Sequence, residues 1–99
     1  MAFDSLPIMA NGITVSTTAS SVTYSLPRTR ANTPAKIVRV AVDSGLAFIE
    51  FGVAPITCTA NDILLTSAMP EVFNVAGANS FAVLQFNSTA NVNITPLEF

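Results

Sequence analysis

A chain of 99 residues makes one domain. It has no histidine, one cysteine, four basic and six acidic side chains, which excludes imidazole chemistry, cysteine pairs and the usual histidine and thiolate metal sites. Charged residues make up 10% against 51% hydrophobic, well below the ~25% charge of ordinary soluble domains, so part of the surface is expected to lie under other subunits.

Residues 1–11 show no alternation and contain Pro7; they read as an extended N-terminal arm carrying Phe3, Leu6, Ile8 and Met9. Asn11-Gly12 is a turn signal. Ile13–Ser16 is a short strand, and residues 21–26 alternate with Val22, Tyr24 and Leu26 on one face. Residues 27–35 form a loop bounded by prolines. Residues 36–42 predict the clearest strand, with Val38, Val40 and Val42 facing one way and Ile37, Arg39 and Ala41 the other. Asp43-Ser44-Gly45 predicts a hairpin turn, with residues 46–51 returning as the partner strand; apolar on both faces except at Glu50, that strand is expected to be central. Residues 56–59 read as a brief strand. Asn61–Leu65 fits a strand or a lone turn, because Pro70 limits any helix. Residues 71–75 and 80–86 are strands, the second apolar on both faces. Residues 87–91 are a turn, residues 92–95 a last strand, and residues 97–99 a hydrophobic tail with Leu97 and Phe99.

Eight or nine short strands with a turn signal every 8–12 residues predict an all-β fold: a single-domain antiparallel β-sandwich, jelly-roll-like. The expected organisation is an arm over 1–11, a sandwich over 12–96 and a tail over 97–99.

Little equipment for catalysis is present. A Ser or Cys nucleophile has no histidine base, and Lys36 is the only lysine. Nothing marks a carboxylate pair for glycoside hydrolysis, a calcium loop or a phosphate cradle. The expectation is a non-enzyme without cofactor or metal. Cys58 reads as a small buried hydrophobe. Asn87-Ser-Thr89 and Asn93-Ile-Thr95 match glycosylation acceptors by chance in an Asn/Thr-rich chain. No ~20-residue apolar run predicts a membrane span, and the first residues lack the basic region of a signal peptide.

All four basic residues, Arg28, Arg30, Lys36 and Arg39, fall within a twelve-residue window, and all six acids lie outside it. Either this is an electropositive patch that docks on a partner, or it is a solvated loop and one outward strand position. Without interleaved aromatics it makes a poor nucleic-acid track. The candidate partner-binding residues are therefore Phe3, Leu6, Ile8, Met9, Arg28, Arg30, Lys36, Arg39, Leu97 and Phe99. A glycan site is the rival binding class; Asn74, Asn79, Asn87 and Asn91 supply hydrogen bonds, but there is no tryptophan platform.

From Pro34 to Pro96, the stretches TPAKIVRVAVDSGLAFIEFG, APITCTANDILLTSAMPEVFNVAG and FAVLQFNSTANVNITP resemble small all-β structural proteins of tailed bacteriophages, most of all capsid decoration (cement) proteins. The resemblance is one of pattern, without a diagnostic motif. It implies a virion component made in the host bacterial cytoplasm. Such a component sits on the capsid surface, binds the major capsid protein and itself as a dimer or trimer, and engages neither nucleic acid nor membrane. It also admits a tail, neck or fibre accessory protein that binds a host surface or glycan.

Overall fold

The computed structural model describes residues 12–30 and 32–97. The expected arm over 1–11 lies outside them, as do residues 98 and 99. The described chain is all-β and carries eight strands: β1 Ile13–Ser16, β2 Val22–Ser25, β3 Ile37–Val42, β4 Leu46–Gly52, β5 Ile63–Thr66, β6 Glu71–Asn74, β7 Ser80–Gln85 and β8 Asn91–Leu97. They form two four-stranded antiparallel sheets packed on each other, ordered β1-β8-β3-β6 and β2-β7-β4-β5. β4 and β5 alone are neighbours both in sequence and in a ladder; every other connection carries the chain from one sheet to the other.

Alternation explains the interior. Val38, Val40 and Val42 of β3 are buried while Arg39 faces outward. With Val92 and Ile94 of β8 they meet Ala47, Ile49, Phe81, Val83 and Leu65 from the second sheet in one core. Tyr24 lies on Phe81 with ring centroids 5.5 Å apart, which supplies the offset ring contact that aromatic quadrupoles favour. β4 is an internal strand, as its two apolar faces predict, and β7, apolar on both faces as well, lies beside it inside the same sheet.

The Asp43–Gly45 turn does not close a hairpin. β3 pairs with β6 and β8, whereas β4 pairs with β5 and β7. The turn instead hands the chain between sheets, and Asp43 is held by β8: its N–H donates to the Asn91 carbonyl at 3.1 Å, and its carboxylate accepts from the Asn91 N–H at 3.1 Å and Nδ2 at 2.9 Å. Those bonds favour the ionised form, so the Asp43 carboxyl titrates below its ordinary 3.8. Gly45 and Gly77, at φ 80° and 90°, occupy turn positions in the left-handed region that a Cβ disfavours.

Residues 56–59 form no strand, because the segment is attached by side chains rather than by a ladder. Thr23 Oγ1 donates to the Ile56 carbonyl at 2.8 Å, and the Cys58 N–H donates to Ser21 Oγ at 2.8 Å. The last strand is longer than expected. Leu97 pairs with Ile37 and is 6% exposed, so it is a buried strand residue rather than part of a tail. Pro96 is accommodated beyond the Ile13–Ile94 pair that ends the β1 ladder, where the missing N–H costs no bond to that strand.

Thr17 joins the two strand connections at the end of the sandwich where Asp43 lies. Buried, it donates its N–H to the Ala90 carbonyl at 2.8 Å and accepts the Ala90 N–H on Oγ1 at 2.9 Å. Thr17→Val keeps the shape and leaves the Ala90 N–H without a partner, a loss of about 1–3 kcal/mol. Urea unfolding is expected to show a lower midpoint for this variant with an unchanged slope.

Candidate interaction surface

Three regions bear on contact with a partner: the basic segment, a groove beside it, and the outer face of the second sheet.

Within the basic segment, Arg28 is turned onto its own loop. Its Nη2 donates to the Asn32 carbonyl at 2.7 Å, and Nε lies 3.0 Å from Asn32 Oδ1. Asn32 adopts φ 62°, which asparagine tolerates better than most residues. The Asn32 N–H donates to the Thr29 carbonyl at 2.8 Å, and the Thr29 and Thr33 hydroxyls share a bond of 2.7 Å. The loop is therefore self-bonded, and Arg28 serves its geometry. Arg30 is exposed in the same loop. Lys36 is exposed just before β3, while Arg39 points outward from β3 between Val72 and Thr95. The four cations thus divide between one loop, its exit and a sheet face. Phe3, Leu6, Ile8, Met9 and Phe99 lie outside the described residues, and buried Leu97 is not available to a partner.

Lys36 borders an open groove of about 550 Å³ between residues 33–36 and 76–79. Asn79 closes its far side and is already engaged, its Oδ1 accepting from the Ala54 N–H at 3.2 Å and from Ser80 Oγ at 2.8 Å. An ammonium beside small apolar walls offers weak anion contact and no catalytic pair.

The outer face of the second sheet is unlike the outer face of an ordinary sandwich. Register places Leu64, Phe48 and Leu84 side by side across β5, β4 and β7. Phe86 extends this row, its ring 5.7 Å from that of Phe48 and 49% exposed. One side of the row is covered: the segment after β4 lays Ile56 and Cys58 over Phe48 and Ala82. The two ends of the row, Leu64 and Phe86, are exposed, while Phe48 between them is buried. Sequence reading named the arm, the basic window and the tail as contact residues and missed this stripe; its signal was the apolar second face of residues 46–51 and 80–86.

Acids border the covered side. Asp62 closes the turn after Cys58 by accepting the Thr59 N–H at 2.7 Å, and this bond holds its carboxyl below the ordinary value. A side-chain hydrogen bond with Asp62 raises Glu50, since Glu50 must hold the proton to donate it. Desolvation, reinforced by both carboxylates, pushes the Cys58 thiol up to about 12. Cys58 is therefore a protonated packing group rather than a nucleophile at neutral pH. Among the described residues, no group of three or more His, Cys, Asp or Glu is placed to hold a metal ion.

No protein-family model, curated protein or solved structure matches this chain.

Glu50 contributes a pH-dependent stability of definite sign. Glu50 has a folded pKa above its ordinary 4.5. The contribution of its hydrogen bond is complete below 4.5 and is lost as the pH rises through the folded value. Glu50→Gln keeps a neutral donor at all pH. It is expected to raise Tm at pH 7 and to converge on the wild type near pH 4, as thermal denaturation at the two values will show. Cys58 is expected to resist iodoacetamide at pH 8 in the folded chain and to react fully in guanidinium; rapid stoichiometric labelling of the native protein would contradict its burial.

Proposed function

We propose that this chain is a non-enzymatic virion structural protein that binds the outer surface of a phage capsid and stabilises it by bridging neighbouring major capsid subunits. The observation that carries this reading is the apolar row Leu64–Phe48–Leu84–Phe86 on the outer face of the second sheet, exposed at its two ends, Leu64 at 42% and Phe86 at 49%. Large uncharged aliphatic and aromatic groups on a preorganised surface are what a permanent contact uses, because they are removed from water at little cost in desolvated charge or ordering.

The strand orders β1-β8-β3-β6 and β2-β7-β4-β5 support an eight-stranded jelly roll, an architecture that recurs in capsid and lectin domains. Residues 1–11 form the arm of this reading and add Phe3, Leu6, Ile8 and Met9 to the contact. Arg30, Lys36 and Arg39 contribute charge steering more than adhesion. Several modest contacts per oligomer combine into firm attachment when engaged together.

The jelly-roll order also fits a tail, neck or fibre accessory protein that binds a host surface or glycan. The observation favouring it is the half-exposed Phe86 ring followed directly by Asn87, an aromatic platform beside an amide.

The two readings separate in one experiment, co-sedimentation of the purified chain with undecorated heads. Decoration predicts saturation at a high, symmetry-related copy number. It also predicts that Phe86→Lys weakens binding at least ~10-fold, or about 1.4 kcal/mol, with circular dichroism unchanged. A chain that remains in the supernatant, with adsorption of phage to cells lost in its absence, would replace the capsid reading with the tail reading.

A further inference from the structure

We infer that residues 53–62 form a strap over the outer face of the second sheet, that this strap opens without unfolding the sandwich, and that its opening uncovers the middle of the apolar row from Leu64 to Phe86. The opening is a property of the chain alone; that a capsid takes the uncovered row rests on the proposed function.

The connection is longer than its two ends require. β4 and β5 are antiparallel neighbours in one ladder, and about two to five residues suffice to join such a pair. Here the chain leaves Gly52, reaches β2 at the far edge of the sheet, and returns to Ile63. At that far edge Thr23 Oγ1 donates to the Ile56 carbonyl at 2.8 Å, and the Cys58 N–H donates at 2.8 Å to Ser21 Oγ, just before β2. Thr23 stands opposite Ala82 on β7, and Ala82 opposite Glu50 on β4. The strap therefore crosses the outer face over both internal strands. Under it lies the middle of the row: Phe48 and Ala82 face away from the core between the sheets, yet both are buried, packed with Cys58, Ile56 and Leu84. With the strap lifted, Leu64, Phe48 and Leu84 form one uncovered band across three strands, with Phe86 beside it. A contiguous apolar surface of this kind marks an interaction site.

The strap is attached differently from the sheet beneath it. Among the described residues, no backbone group of residues 53–61 bonds the backbone of a strand. Its middle is held by the Ser21 and Thr23 hydroxyls, each through one neutral bond. Its two roots are fixed: the Ala54 N–H donates to Asn79 Oδ1 at 3.2 Å, and the Asp62 carboxylate accepts the Thr59 N–H at 2.7 Å. β4 and β7, by contrast, are paired from Ala47 to Gly52. Local opening takes the segments with the fewest backbone bonds and buried apolar contacts. Between its roots the strap meets that description, and lifting it breaks the Ser21 and Thr23 bonds and the packing of Ile56 and Cys58 while every ladder stays closed.

Cys58 reports the opening, because its thiol is buried while the strap is closed. The test is the urea dependence of iodoacetamide labelling of Cys58 in the full chain, with no capsid present, so that its failure leaves capsid attachment to be judged by co-sedimentation. The expected result is slow labelling whose slope at low urea is well below that of global unfolding, steepening only at the unfolding transition, since the slope follows the surface exposed. Ser21→Ala and Thr23→Val are each expected to speed the low-urea labelling about 2–10-fold, the worth of one hydrogen bond. Thr17→Val removes a bond to Ala90 that no strap residue shares; it is expected to lower global stability and leave the low-urea rate unchanged. Labelling that follows the full slope of global unfolding from the lowest urea overturns the strap. Wild-type rates in both hydroxyl variants, or an equal acceleration by Thr17→Val, overturn it as well.

Discussion

β4 and β7 are apolar on both faces, and a two-layer sandwich covers only one. Ala47, Ile49, Phe81 and Val83 are buried between the sheets, whereas Phe48, Ala82 and Leu84 face away from the core. The second set must be covered by something else. The connection between β4 and β5 covers part of it by lying back across the strands. Its side-chain bonds to Ser21 and Thr23 hold Ile56 and Cys58 in place without the ladder of another strand. The acid pair and the high thiol pKa are consequences of that position: Cys58 is desolvated between the sheet and its own turn, and Glu50 and Asp62 adjoin at the margin. What the connection does not reach is the two ends of the row, Leu64 and Phe86.

The outer face of the first sheet is mixed. Val72 is exposed there beside Arg39, but Thr14, Asn93 and Thr95 share the face, and the Thr95 hydroxyl, the Asn93 amide and the Thr14 hydroxyl form a short chain of bonds across β8 and β1. The two outer faces differ in their share of polar groups. Nearly all connections cross between sheets, so this asymmetry depends on joints at the ends of the sandwich, chiefly Thr17 with Ala90 and Asp43 with Asn91. These joints combine side-chain and backbone bonds, whose net worth is about 0.5–1.5 kcal/mol each. Their importance lies in fixing which strand meets which.

The sequence was most legible where one local period decides the outcome. Val38, Val40 and Val42 announce a strand with one buried face, and the doubly apolar 46–51 and 80–86 announce internal strands. It was least legible where a distant partner decides. Asp43-Ser44-Gly45 has hairpin chemistry, yet Asp43 bonds Asn91 in a strand 48 positions away, and the turn becomes a crossing. Residues 56–59 have strand composition, but Ser21 and Thr23 engage their backbone first. Leu97 follows a proline, a usual stop signal, yet Ile37 continues the ladder past it. The candidate surface is the least legible part: the chain ends and the few charges stand out in the sequence, while the apolar row depends on register among three strands.

Charge is so scarce that its distribution invites a functional reading, but the geometry assigns much of it to internal work. Arg28 holds its own loop through Asn32, Asp43 holds β8, and Asp62 holds the turn at Thr59. Each ion is matched to neutral backbone or amide groups, an arrangement far less sensitive to ionic strength than exposed ion pairs. The free energy of any lasting contact must then come from apolar area, at roughly 25 cal/mol per Å² removed from water. An apolar surface of this kind favours contact through shape rather than through charge.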